Sequence, residues 1–202
     1  MQPSSASPAT ANVLRHNPYQ ELERAYYERN YPRALQIHAA YFRDKIDKIF
    51  MASSSVSLPI GFEPFQEYFS GFDFYYQPFD NTLNDTLWGR WEVTDDGAIV
   101  VRYADNCPKV RQRFSIAHEL MHVYGYHDPE FKMQIDKIRT PWVRKKIIER
   151  VADKSAAYYL VPEPILRETW KETPNADYQA KLYGVSRKTM EICLKDYGII
   201  TK

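Results

Sequence analysis

Cysteine is nearly absent from this chain, with two thiols, Cys107 and Cys193, in 202 residues. Two are too few for a disulfide scaffold and fit a reducing compartment. Long apolar runs are missing as well, so no stretch has the length needed to cross a bilayer. The opening residues, MQPSSASPATANV, contain neither a basic lead nor an apolar core, which reads as neither a secretory signal nor a membrane anchor. An excess of one charge is lacking too. The 27 Lys and Arg balance 26 Asp and Glu to a net charge of +1, so no general attraction to nucleic acid or to an anionic membrane is expected. These absences place the chain in the cytoplasm, with partners that must be recognised locally.

Aromatic side chains, by contrast, are plentiful, at 15% of the chain with 16 Tyr. The core is therefore expected to be aromatic-rich. The length suits one ordinary domain with an extension. Residues 1–16, rich in Ser, Ala and Pro, cannot bury enough surface to offset ordering entropy and are expected to form a flexible tail. Residues 17–202 are expected to form a single domain with a helical and aromatic part over 17–80, a catalytic core over 87–162 and a helical part over 163–202.

Asn17-Pro18 reads as an N-cap and first helical residue, opening a helix to about Arg29. After Pro32, Leu35, His38, Phe42, Ile46, Ile49 and Phe50 recur at helical spacing, which makes His38 a packed residue and not a ligand. Gly61 to Phe79 is dense in Phe and Tyr, with a helical turn expected over Phe65–Phe69 and a strand over Phe72–Phe79. Leu87–Thr94 and Ala98–Tyr103 are β-prone runs joined through Asp95-Asp96-Gly97, a strong hairpin signal. Further on, Asp128-Pro129 opens a short helix to about Ile138. Trp142 to Leu160 forms a longer one, closed by Pro162 and Pro164. Residues 176–200 read as helix, Gly turn, helix.

The chemistry concentrates in His118-Glu119-Leu-Met-His122. On a helix, positions four apart share a face, so both imidazoles can reach one metal ion. Glu119 lies about 100° further round, badly placed for a ligand and well placed to touch a water on the metal. The helix is expected to end near Gly125, a good residue for a left-handed cap. Catalytic zinc takes three protein ligands and leaves a position for water. Glu149 is the candidate third ligand, and Asp153, one turn further along the same helix face, can hydrogen-bond a ligating imidazole. Ala152 and Ala156 leave room for the motif helix to approach. The other reading of the two acids is a pair of surface partners for Lys145 or Arg150. Cys107, ahead of the motif helix, could cap a metal as a thiolate, although a free Cys is more often a small packed hydrophobe.

These stretches resemble the ImmA/IrrE family of bacterial and phage zinc metallopeptidases. The family pattern R-F-T-x-A-H-E-x-G-H is matched by Arg113-Phe-Ser-Ile-Ala-His-Glu-Leu-Met-His122, and E-x-x-A-x-x-F-A-x-x-L-L-M-P by Glu149-Arg-Val-Ala-Asp-Lys-Ser-Ala-Ala-Tyr-Tyr-Leu-Val-Pro162. A later His and a terminal F-x-V-S segment are similar to His127 and Tyr183-Gly-Val-Ser186. The likeness covers the chain from about residue 97 onward. Met121 replaces the common Gly, Ser155 Phe, Tyr159 Leu and Val161 Met, changes that bear on the shape of the substrate pocket more than on metal binding. The resemblance implies an α+β fold: a mainly helical zincin-like domain, a small antiparallel sheet or hairpin before the motif helix, and a C-terminal helix-turn-helix-like segment.

On this reading Zn2+ is the cofactor, His118, His122 and Glu149 are its ligands, Glu119 is the general base and Asp153 the carboxylate behind a ligand. His127, Tyr124, Tyr126, Tyr158 and Tyr159 are the candidates for stabilising the oxyanion or contacting substrate. The substrate is expected to be a specific intracellular protein, and the resemblance implies a helix-turn-helix repressor in a phage, mobile-element or stress switch. The aromatic segment and the hairpin are its candidate recognition surfaces. Two alternatives stay open: a DNA-binding regulator with a structural zinc, and a partner-binding pseudo-enzyme. Residues 176–202 carry five Lys or Arg against three Asp or Glu, a small surplus for duplex recognition, so direct nucleic-acid binding is not expected. The intact Glu119 opposes the pseudo-enzyme.

Overall fold

A computed structural model describes residues 18–53, 56–80 and 87–201. The expected flexible tail, 1–16, lies outside them. The chain begins with α1 (Pro18–Tyr27) and α2 (Tyr31–Ala52), the latter capped by the Asn30 side chain, which accepts from the Arg33 N–H. Of the periodic face read from the sequence, His38, Phe42, Ile46 and Ile49 are buried, while Leu35 and Phe50 are partly buried against the core. A short α3 (Glu63–Tyr68) follows, and then β1 (Phe74–Phe79).

The expected hairpin is present as β2 (Gly89–Val93) and β3 (Ile99–Ala104), paired antiparallel with Val93 opposite Ile99. The sheet is larger than a hairpin, because β1 joins β3 in parallel and gives the order β1-β3-β2. A mixed three-stranded sheet thus replaces the expected antiparallel one. The central strand is apolar on both faces, with Ile99, Val100 and Val101 buried, as suits a strand paired on both sides and covered by helices.

The motif helix, α4 (Lys109–His127), leans on β2 and β3 and packs along α6 (Pro141–Leu160). It runs two residues beyond the expected stop at Gly125, which is buried within it. A Cβ there would lie 3.0 Å from the Phe131 ring, so the glycine serves close packing and not chain reversal. Asp128 ends α4 and caps α5 (Pro129–Asp136), accepting from the Phe131 N–H at 2.8 Å. Then come α6 (Pro141–Leu160), α7 (Glu163–Glu172), α8 (Ala176–Tyr183) and α9 (Arg187–Asp196). The prolines after α6 do more than close it, for Pro164 sits in the first turn of α7, where its missing N–H costs nothing. Gly184, left-handed at φ 61°, makes the turn between α8 and α9.

One apolar core runs from α2 through α9, and the aromatic segment feeds it. Tyr159 is fully buried, its ring 5.2 Å from Phe50 and 6.3 Å from both Phe62 and Phe65, with its hydroxyl donating to the Gly61 carbonyl at 2.9 Å. The expectation of a recognition surface over 61–79 is therefore met by few side chains: most of these aromatics pack inward, while Tyr68 and Tyr75 stay exposed. Arg113 ties the same region to the C-terminal helices, donating to the carbonyls of Ile60 (2.6 Å) and Gly184 (3.3 Å). No helix among the described residues is long and apolar enough to cross a membrane.

Candidate metal centre and cleft

The two-helix contact between α4 and α6 brings the predicted residues together. Both motif imidazoles project from one face of α4 with their Nε2 atoms 2.9 Å apart. Glu149, on α6, sets its Oε2 3.4 Å from the Nε2 of His118 and 3.7 Å from that of His122. Among the described residues these three form the one group of His, Cys, Asp or Glu able to surround an ion. Asp153 stands one turn along α6, where its Oδ1 accepts from the Nδ1 of His118 at 3.0 Å. That bond sets the tautomer: with the proton on Nδ1, Nε2 keeps its lone pair for a metal. Ala152 and Ala156, both buried, are the small residues that let the helices approach.

Electrostatics separate the two rings. His122 is pushed down to about 4, by burial first and by the neighbouring His118 second. Burial acts on His118 in the same sense, but the hydrogen bond to Asp153 and the charges of Glu119, Asp153 and Glu149 outweigh it and hold its pKa above the usual value. Burial also lifts the Glu119 carboxyl to about 7, opposed by His118 and aided by Glu149. A carboxyl that titrates near neutrality can both take and return a proton.

These groups line an open cleft of about 860 Å3 whose opposite wall is β2, with Trp88, Gly89, Arg90 and Trp91. β2 is the strand at the edge of the sheet nearest α4. Gly89 faces the carboxylate: a Cβ on it would meet Glu119 Oε1 at 2.8 Å and Cγ at 3.0 Å. Sequence reasoning passed over this glycine, although a lone Gly inside a strand is the known mark of close backbone approach. It also missed the cationic rim of Arg90, Arg111 and Lys145, of which Arg111 lies over the Trp88 ring at 4.4 Å. In a sequence, surface cations like these carry no signal of their own.

The other candidates lie elsewhere. His127 does not line the cleft and packs with Phe72 (4.8 Å) and Tyr126 (5.1 Å), because five residues past His122 a side chain has turned well away from the metal-facing side. Tyr124 is buried beside Phe42, Tyr158 donates to Asp196, and Tyr159 is committed to Gly61. Tyr126 leans on Trp91 at 5.2 Å, next to the cleft without lining it. Cys107 is also outside, its thiol turned to the Ala104 carbonyl at 3.4 Å.

A mainly helical α+β domain with paired imidazoles and an acid from a second helix defines the class. The chain belongs to the Peptidase_M78 family, whose IrrE N-terminal-like domain model matches residues 76–195. The match starts in β1, upstream of the point near residue 97 where the motifs become recognisable, so the sheet is part of the family domain. A solved structure of a Mycobacterium tuberculosis transcriptional regulator has a similar fold, with a TM-score of 0.55 and 19% identity over 86% of this chain. The match takes in 50% of the regulator, so this chain spans about half the length of that protein. No curated protein sequence matches significantly.

Proposed function

We propose that this chain is a zinc-dependent endopeptidase that cuts a specific protein partner. The observation that carries the reading is the convergence of His118 Nε2, His122 Nε2 and Glu149 Oε2, at separations of 2.9, 3.4 and 3.7 Å, beside Glu119 in an open cleft. Bonds of ~2.0–2.1 Å at tetrahedral angles put donor atoms about 3.4 Å apart, so this donor set fits zinc. Three protein donors next to a cleft also speak for a catalytic site over a structural one, which would be closed by a fourth.

Zinc bound there supplies an acidified water and polarises a carbonyl. The chain's own residues do the rest. Glu119 accepts the proton of the attacking water and delivers it to the leaving amine nitrogen, a task suited to a carboxyl lifted towards neutral pH by burial. Asp153 holds the His118 ring through Nδ1. The outer edge of β2, which pairs with no other strand among the described residues, offers backbone donors and acceptors on which an extended substrate segment can lie as a fourth strand. The peptidase family supports a protein as the substrate. On our reading that protein is a helix-turn-helix repressor met in the cytoplasm, and residues 17–202 work as one domain.

The test pairs the zinc-loaded protein with Glu119→Gln in lysate from the source cell, with new protein termini mapped by mass spectrometry. Cleavage of one or a few regulators by the wild type and none by a variant of equal zinc content supports the reading. Cleavage by both, or by neither, ends it.

A further inference from the structure

A second hollow, of about 240 Å3, adjoins the cleft, and His122 and Trp91 belong to the walls of both. Gly125 of α4 and Ala152 of α6 are among its walls. Its apolar lining includes buried Met121, Val151, Phe131 and Ile135 and half-buried Ile148. No carboxylate is among the described residues that line it, and its one charged group is Lys132, whose Nζ lies 4.8 Å from the centre of the Tyr126 ring. Small-molecule sites run to roughly 300–1,000 Å3. This one falls below that range and has the size of a single side chain.

We infer that this hollow receives an apolar side chain of the substrate, of Leu, Met or Phe size, from a residue flanking the scissile bond. The inference rests on the peptidase reading. The place follows from His122: a carbonyl held for attack at the His118–His122–Glu149 centre has its neighbouring residues within one side chain's reach of a pocket that His122 itself lines. The chemistry follows from the lining. An aliphatic or aromatic side chain exchanges water for Met121, Ile148 and Val151, whereas Asp or Glu would lose its hydration against apolar walls, and Lys or Arg would in addition face Lys132. Met121, one of the departures from the family pattern, makes the shape of this pocket a property of this chain.

The experiment has two arms, each run on the wild type and on Ile148→Ala and Ile148→Phe, with melting temperature and zinc content measured for all. Ile148 is half-buried, so both changes are tolerable. In the first arm, zinc-loaded protein digests a proteome-derived peptide library over long incubation. The expected profile favours Leu, Met or Phe over Ala at one flanking position by roughly 10–200-fold. Ile148→Ala moves the preference towards Phe and Trp, and Ile148→Phe towards Ala and Val. In the second arm, hydroxamates of leucine, alanine and aspartate are titrated calorimetrically into zinc-loaded Glu119→Gln protein carrying the same Ile148 changes. Leucine hydroxamate is expected to bind at least about ten times more tightly than the other two, a margin lost in Ile148→Phe. Cleavage without a side-chain preference, or with one that neither Ile148 variant moves, overturns the pocket and leaves the peptidase intact. Hydroxamate selectivity without any cleavage upholds the pocket and sinks the peptidase. Absence of both removes both.

Discussion

A methyl group on Gly89 would stand 2.8 Å from Glu119 Oε1, closer than non-bonded atoms approach, so the bare backbone of β2 is part of how the carboxylate is held. The two residues belong to different elements, and the contact couples the cleft's far wall to its base.

Gly89→Ala therefore displaces Glu119 while leaving the donors His118, His122 and Glu149 in place. Misplacing a reacting group by about 1 Å costs on the order of 100-fold in rate. Turnover falling by about that factor, with unchanged zinc stoichiometry by plasma emission spectroscopy, is the expected result. Wild-type turnover would show that Glu119 moves aside without consequence.

Glu149→Ala leaves two imidazoles, a poor catalytic zinc site. The expected result is loss of the metal on dialysis against a dilute chelator under conditions that the wild type survives. Full occupancy in the variant would assign the third donor elsewhere.

Asp153→Ala removes the acceptor that fixes the His118 ring at 3.0 Å. Zinc affinity or activity is expected to drop about 10–100-fold, the ordinary cost of losing a partner behind a ligand. Competition against a fluorescent zinc chelator measures it, and an unchanged affinity would make the contact incidental.

His38 governs a pH dependence. It is buried, its Nε2 is hydrogen-bonded with the Tyr26 hydroxyl at 2.5 Å, and burial pushes its pKa from 6.5 down to about 4. The folded state keeps the ring neutral while the unfolded chain takes up a proton near pH 6.5, so stability is full above that pH and falls as pH drops towards 4. The loss reaches roughly 3 kcal/mol. Melting temperatures of the zinc-loaded wild type and of His38→Gln across pH 4–7 are the test, and the variant's curve is expected to be flatter. Parallel curves would locate the acid sensitivity in another group.

The donors were legible because helical spacing turns sequence distance directly into geometry: His118 and His122 share a face by period, as do Glu149 and Asp153. The hairpin was legible through its Asp-Asp-Gly turn. Of what crosses between elements, the meeting of the α4 and α6 faces was legible through the second motif and the family resemblance, and the rest was not. The parallel seat of β1 beside β3 depends on long-range pairing that no local pattern encodes. The packing that asks for a glycine at 125 involves Phe131, a residue of the next helix. His127 was drawn towards the site by its nearness in sequence, yet its ring lies against Phe72 on another side of the same helix. Gly89 was readable only as a glycine, since its neighbour Glu119 arrives through the fold.

The proposed donors and base sit on α4 and α6, whereas the opposite wall of the cleft is the start of the edge strand, Gly89 to Trp91, and the two residues before it. Selection can therefore act on the two independently. On the proposed function, substitutions at Arg90 or Trp91, which line the cleft, redirect the choice of partner without disturbing α4 and α6, provided that Gly89 stays bare. On that same proposal, this strand is the expected hotspot of divergence in a lineage whose partner changes, and the shortest segment to exchange in altering that choice.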